Sequence, residues 1–182
     1  MPKSKPEIFL KEEINKIIDA SMLDEYYYVL FLVAKKTGRR LAEYYDLKVK
    51  DIDFDRQIMV TKVLKKRRRV ESEAVLDNEL CRELRKLIER NKLKPSDYVF
   101  RKYSYRTIQY RTKQFVKKVG IQKNFIFHNF RHYFITELIR NGWSLSMIQK
   151  LTGHTSLASL GIYDHVVARD IKQQAQDALN NL

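Results

Sequence analysis

Residues 49–63 read VKDIDFDRQIMVTKV, and this stretch decides the fold class. Apolar and polar residues alternate, β-branched side chains recur at Ile52, Ile58, Val60, Thr61 and Val63, and Asp55-Arg56 supplies a turn. Alternation of this kind is the signature of strands, whose successive side chains point to opposite faces. The basic run KKRRR follows at 65–69, and VESEAVL at 70–76 alternates again. A small antiparallel sheet of about three strands is therefore predicted between residues 49 and 76, its last connection long, basic and free of glycine.

On both sides the period changes to that of a helix. EIFLKEEINKIIDAS (7–21) is amphipathic, with Ile8, Leu10, Ile14, Ile17 and Ile18 on one face. LDEYYYVLFLVAKKTG (23–38) is apolar enough to be central and stops at Gly38, and RRLAEYYDL (39–47) is a short third helix. After the sheet come a helix over 77–92 capped by Asp77, a turn and extended piece at 94–100, and helices over 104–120, 128–142 and 144–153. Residues 157–163 read as a short turn and 167–182 as a terminal amphipathic helix with Ile171, Ala175, Ala178 and Leu182 on one stripe. The expected fold class is mainly α with a small antiparallel β-sheet: a basic tail at 1–6, a catalytic domain at 7–166 and a docking helix at 167–182.

Composition bounds the partners. The 182 residues carry 36 Lys and Arg against 22 Asp and Glu, a net charge of +14, which points to a polyanion. A membrane is not expected, because the longest apolar run, YYYVLFLVA (26–34), is too short to span one and no signal peptide opens the chain. A single cysteine, Cys81, rules out an intrachain disulfide and fits a reducing cytoplasm. Four dispersed histidines give no metal-site spacing. No glycine-rich phosphate loop or carboxylate cluster calls for a nucleotide or Mg²⁺, so no cofactor is expected.

Three stretches carry chemistry. In HNFRHYFIT (128–136), His128 and Arg131 lie three apart on a helix and share a face. Such a pair can bind one phosphate, Arg forking two oxygens and His moving a proton. In KTGRRLAE (36–43), Arg40 follows a glycine at a helix start, with Glu43 three residues on to buttress the guanidinium. In LTGHTSLASLGIYDHV (151–166), His154 follows a glycine break and Tyr163 follows nine residues later. A phenol with a pKa near 10 attacks well only among cationic neighbours and against a tightly held electrophile.

Taken together and in this order, the chain resembles the catalytic domain of the tyrosine recombinase (phage integrase) family over about residues 8–170. TGRRLAE is similar to that family's first box, HNFRHYFIT to its second, and IQKLTGHTSLASLGIYDHV to its closing segment. The resemblance implies that Arg40 and Arg131 grip the scissile phosphate. Tyr163 would attack it to form a 3′-phosphotyrosyl bond, with His128 as general base or acid, and His154 would hydrogen-bond the phosphate. A hairpin lysine would protonate the leaving 5′-oxygen. Lys62 matches that lysine best by position; Lys65 and Lys66 are rivals, since the family's glycine-rich hairpin is absent. Metal-free strand cleavage and rejoining on double-stranded DNA follows, by a tetramer on DNA that is monomeric in solution. A DNA-binding accessory without chemistry, or a type IB topoisomerase-like relaxing enzyme, are the alternatives.

The sequence also departs from the family. Arg39 stands where the family has an apolar residue, although the register favours Arg40 as the first arginine. Few residues precede Arg40, so no separate core-binding domain is expected, and DNA binding should be weaker and less sequence-specific. Phosphate contacts then fall to Lys65, Lys66, Arg67, Arg68 and Arg69, and to Arg101, Lys102, Arg106, Arg111 and Lys113. Tyr103, Tyr105 and Tyr110 among them either reach phosphates or pack. The terminal helix docks on its own body or on a neighbouring protomer.

Overall fold

Helix α2 (Glu25–Thr37) is apolar around its whole circumference, and the fold is built around it. Asp24 caps its start by accepting the Tyr27 N–H, Lys35 and Lys36 offset the dipole of its last turn, and Gly38 ends it in the left-handed conformation. The computed structural model describes residues 7, 9–65, 68–154, 157–163, 168, 172, 176, 179 and 180, and of residues 63–65, 68 and 69 it describes the backbone alone.

Helix α1 (Lys11–Ala20) lays Ile14, Ile17 and Ile18 on the core. It begins later than its apolar pattern implies. The Glu13 carboxylate accepts the Leu10 N–H at 2.8 Å, so the chain before Lys11 is extended; Phe9 is buried and Leu10 is left in solvent. Helix α3 (Leu41–Tyr45) is likewise shorter than the 39–47 expected, because Arg40 holds extended backbone as its N-cap.

The predicted sheet is present: β1 (Ile52–Asp53), β2 (Ile58–Lys65) and β3 (Arg68–Val75), antiparallel in the order β1-β2-β3. Its register runs from Ile58 opposite Val75 to Lys65 opposite Arg68. The long basic connection is a correction. Strand β2 runs through Lys65 and β3 begins at Arg68, so most of that run is strand; residues 66 and 67 lie outside those described. The ladder pairs backbone groups whatever the side chain, so charge alone does not end it.

Helix α4 (Asn78–Arg90) starts where Asp77 accepts the Leu80 N–H at 2.8 Å and buries Leu80, Cys81, Leu84 and Leu87. Asp77 and Glu79 both pair with Lys36, pinning α4 to α2. Helices α5 (Tyr105–Lys118), α6 (Asn129–Arg140) and α7 (Leu145–Thr152) follow, the first and last capped by Ser104 and Ser144, and a 3-10 turn spans Leu157–Tyr163. Helix α6 packs along α2 through an aromatic core in which Phe31, Phe125 and Phe127 surround Phe130. A second, smaller cluster joins Ile135, Ile139, Ile148, Leu160 and Tyr163. Among the described residues, no helix is long and apolar enough to cross a membrane. Residues 1–6 and the stripe of Ile171, Ala175, Ala178 and Leu182 lie outside those described; residues 168, 172, 176, 179 and 180 are helical and exposed.

Candidate active site and nucleic-acid interface

Arg131 is the hub. It sits in the first turn of α6 and is 1% exposed. Its Nη1 donates to the Gly38 carbonyl and its Nη2 to the Thr152 carbonyl, both at 3.0 Å. The stop of α2, the first turn of α6 and the end of α7 therefore meet on one guanidinium. Gly38 is required here twice over: its φ is 59°, and a Cβ would collide with the Phe134 ring. Glycine ends α7 in the same way, with φ 69° at Gly153, and this turn brings His154 back beside Arg131.

The His154 tautomer follows from its neighbours. Thr152 Oγ1 donates its one hydrogen to the Ile148 carbonyl at 2.6 Å, so it accepts from His154 Nδ1–H, also at 2.6 Å. Nε2 is then left as the acceptor for Arg131 Nη2, 3.1 Å away. Burial and the Arg131 and Arg40 charges hold the His154 pKa down to about 3, so the ring is neutral.

His132, one turn after His128, is the residue the sequence reading missed. Its Nδ1 is hydrogen-bonded to the Tyr163 hydroxyl. Its ring also meets His128 edge-on, with centroids 4.7 Å apart. Burial, then His128 and Arg131, lowers its pKa to about 4. The neutral ring therefore accepts from the phenol, whose own pKa burial pushes above its ordinary value against the opposing pull of Arg131. The available signal was the i, i+4 spacing of two histidines flanking Arg131. His128 itself is the N-cap of α6 and exposed as a residue, yet desolvation of its ring and the charges of Arg131 and Arg40 lower its pKa to about 4.

Tyr163 is both a packing residue and a polar one. It is 2% exposed, its ring lies in the second apolar cluster, and its hydroxyl points to the histidines.

The two neighbouring arginines separate cleanly. Arg40 is half-exposed, with Nη1 3.1 Å from Glu43 Oε1, and its charge acts on Arg131, His128 and His154. Arg39 is 1% exposed and points to β3. This arrangement favours Arg40 as the member of the site. Glu43 is buried. Lys62 is exposed on β2, opposite Glu71. Four buried side-chain polar atoms lack a hydrogen-bond partner among the described residues, and three of them are here: Arg39 Nε, Arg131 Nε and Glu43 Oε2. Such atoms cost stability, and their concentration marks a place shaped for something besides folding.

The remaining basic candidates divide into engaged and free-standing groups. Arg101 is paired with Asp46 and lies 3.5 Å from the centroid of the Tyr98 ring, and Arg111 bonds Gln114 and lies over Tyr27 and Phe115. Lys102 is exposed over the Tyr103 ring. Arg106 and Lys113 are exposed and line a depression of about 300 Å³ with Gln109, Tyr110, Ile126 and Phe127. Of these lining residues, Phe127 immediately precedes His128 in the chain. Tyr103 packs, stacked on Tyr27, whereas Tyr110 is 62% exposed. Lys66 and Arg67, and the side chains of Lys65, Arg68 and Arg69, lie outside the described residues.

Residues 7–169 match the family described as Phage integrase family. A protein of Pseudothermotoga lettingae named tyrosine recombinase is 28% identical over 181 residues, covering 97% of this chain and 61% of that one. The crystal structure of XerA recombinase superimposes with a TM-score of 0.81 at 27% identity, covering 98% of this chain and 65% of that one. The XerH site-specific recombinase bound to palindromic difH substrate, a post-cleavage complex, superimposes with a TM-score of 0.79 at 20% identity, over 94% of this chain and 53% of that one. The chain thus spans less than two thirds of the length of these relatives.

Proposed function

The chain belongs to the phage integrase family, and on that premise we propose that it is a site-specific DNA recombinase, cutting and rejoining strands through a covalent phosphotyrosyl intermediate. The observation that carries this reading is the Tyr163 hydroxyl hydrogen-bonded to a neutral histidine beside two arginines. A tyrosine present only for packing has no need of that company.

The chemistry follows from the geometry. Arg131 and Arg40 grip the non-bridging oxygens of a phosphodiester and stabilise the charge that builds up as phosphorus becomes five-coordinate. The bonds from Arg131 to Gly38 and Thr152 aim its guanidinium in advance and leave other N–H groups to donate. Tyr163 Oη attacks phosphorus while its proton passes to His132 Nδ1. Burial is the largest cause of the low His132 pKa and Arg131 adds to it; the bound anion offsets the Arg131 part, so the imidazole becomes a better base when substrate is present. His128, edge-on to His132, is the next group to which that proton can pass. His154, its Nδ1–H held by Thr152 and its Nε2 accepting from Arg131, orients Arg131 rather than donating to the phosphate. Lys62 gives a proton to the departing 5′-oxygen. Attack by another 5′-hydroxyl reverses each step and joins a new strand, with no metal or cofactor.

Double-stranded DNA is the partner, held by Lys102, Arg106 and Lys113, with Arg101, Arg111 and the 65–69 run as further contacts. Two duplexes are exchanged by a tetramer assembled on DNA in the cytoplasm. A purely DNA-binding accessory role leaves the Tyr163–His132–Arg131 arrangement without a purpose.

The test is a pool of nicked duplexes with randomised sequence at low salt, scored for protein–DNA adducts. Wild type forms an adduct; Tyr163→Phe and Arg131→Ala form none. An adduct that persists in Tyr163→Phe removes the nucleophile assignment. DNA binding without any adduct turns the reading toward the accessory role.

A further inference from the structure

We propose that Arg39 is a positioning residue for Lys62, tying the entry of α3 to the strand that holds the Lys62 strand in place. The inference rests on the recombinase reading above.

Arg39 is anchored at both ends. Its backbone N–H donates to Tyr44 Oη at 2.8 Å, and that hydroxyl is 2.8 Å from Thr37 Oγ1. At its tip, Nη1 donates to Ser72 Oγ at 2.9 Å and Nη2 to the Glu73 carbonyl. Ser72 is the cross-strand partner of Thr61, and its carbonyl accepts the Thr61 hydroxyl at 3.1 Å. Thr61 is 1% exposed, and the next residue is Lys62. A continuous path of hydrogen bonds therefore runs from the residue beside Arg40 to the peptide before Lys62.

The place of attachment matters. Strand β1 supports β2 only at Met59 and Ile58. From Val60 onward the described sheet is a two-stranded ribbon, and a ribbon of that kind twists and sways more than a three-stranded one. Arg39 meets β3 at Ser72 and Glu73, opposite Thr61 and Val60, where the third strand has just ended. An apolar side chain would fill the same space without directional bonds. A buried guanidinium gives two such bonds in a fixed fork at a desolvation cost, so its presence is better explained by geometry than by stability.

The test uses a nicked duplex selected by wild type from the randomised pool, made with either an ordinary or a sulfur-bridged 5′-linkage at the cut. In the sulfur form the P–S bond breaks and a thiolate leaves without needing a proton; the oxygen form needs the Lys62 proton. Lys62→Ala calibrates the comparison: slow with oxygen, restored with sulfur. Arg39→Leu should follow it, at least about tenfold slower than wild type on oxygen and within about twofold on sulfur, while still melting cooperatively and binding DNA. Ser72→Ala, which leaves the buried charge alone, should show a weaker form of the same pattern and serves if Arg39→Leu does not fold. Equal slowing on both substrates, or on neither, overturns the positioning role. Failure of wild type to form an adduct on either substrate overturns the recombinase reading itself.

Discussion

Neutral histidines among arginines make a pH-sensitive site. His128, His132 and His154 have folded pKa values of about 4, 4 and 3, against about 6.5 in an unfolded chain. Above that unfolded value both states hold neutral imidazoles, and nothing is lost. As pH falls below it, the unfolded chain takes up protons that the folded site refuses, so stability drops down to the folded values. Screening at the half-open rim reduces the effect to about 1–2 kcal/mol in total, a Tm lower by about 4 °C at pH 5 than at pH 7. Thermal melts should show this, and His132→Asn should flatten part of the slope; a flat wild-type profile would contradict the neutral assignment. Arg131 was singled out by its helical spacing from His128 and His154 by the glycine break before it, whereas Tyr163 rested on the resemblance and its distance from His154. The Arg39 partners were not legible, since Ser72 and Glu73 lie more than thirty residues away and only the fold joins them. The pairing of Tyr163 with His132 was hidden for the same reason.

At the scale of elements, the helix stops position the chemistry. Gly38→Ala combines strain in the left-handed region with a clash against Phe134, and should cost about 2–4 kcal/mol in a urea titration. It should also lower adduct formation, because the Gly38 carbonyl aims Arg131. Asp77→Ala removes the α4 cap and one of the two carboxylates on Lys36; a loss of about 1–2 kcal/mol is expected, without effect on adduct chemistry once the protein is folded. The starts of α4 and α7 were readable from sequence because Asp77 and Ser144 precede an apolar period, whereas Asp24 and Ser104 emerge as the caps of α2 and α5 in the structure. The start of α1 was placed at Glu7 rather than Lys11 because Ile8 and Leu10 continue the apolar pattern ahead of the point where the backbone turns helical.

At the scale of the whole molecule, the net charge of +14 fits the double-stranded DNA proposed as its partner. Arg106 and Lys113 have no ion pair among the described residues and line the same depression as Phe127. Replacing either by Ala should weaken binding similarly for all sequences and reduce the slope of log K against log salt by about 1. Fluorescence anisotropy over a salt series reads this directly; loss of discrimination between sequences, with the slope unchanged, would mean base contacts instead.

The proposed nucleophile, Tyr163, also packs with Leu160 and Ile148 at 2% exposure, so a phosphodiester reaches its oxygen only when the 157–163 turn shifts enough to uncover it while the bond to His132 is kept. The observed attack rate is then the intrinsic rate multiplied by the fraction of time the 157–163 turn stands open. A conformation open for about one part in a hundred slows cleavage about a hundredfold. Loosening that small cluster, as Leu160→Ala would, should make a less stable protein that cuts its first strand faster.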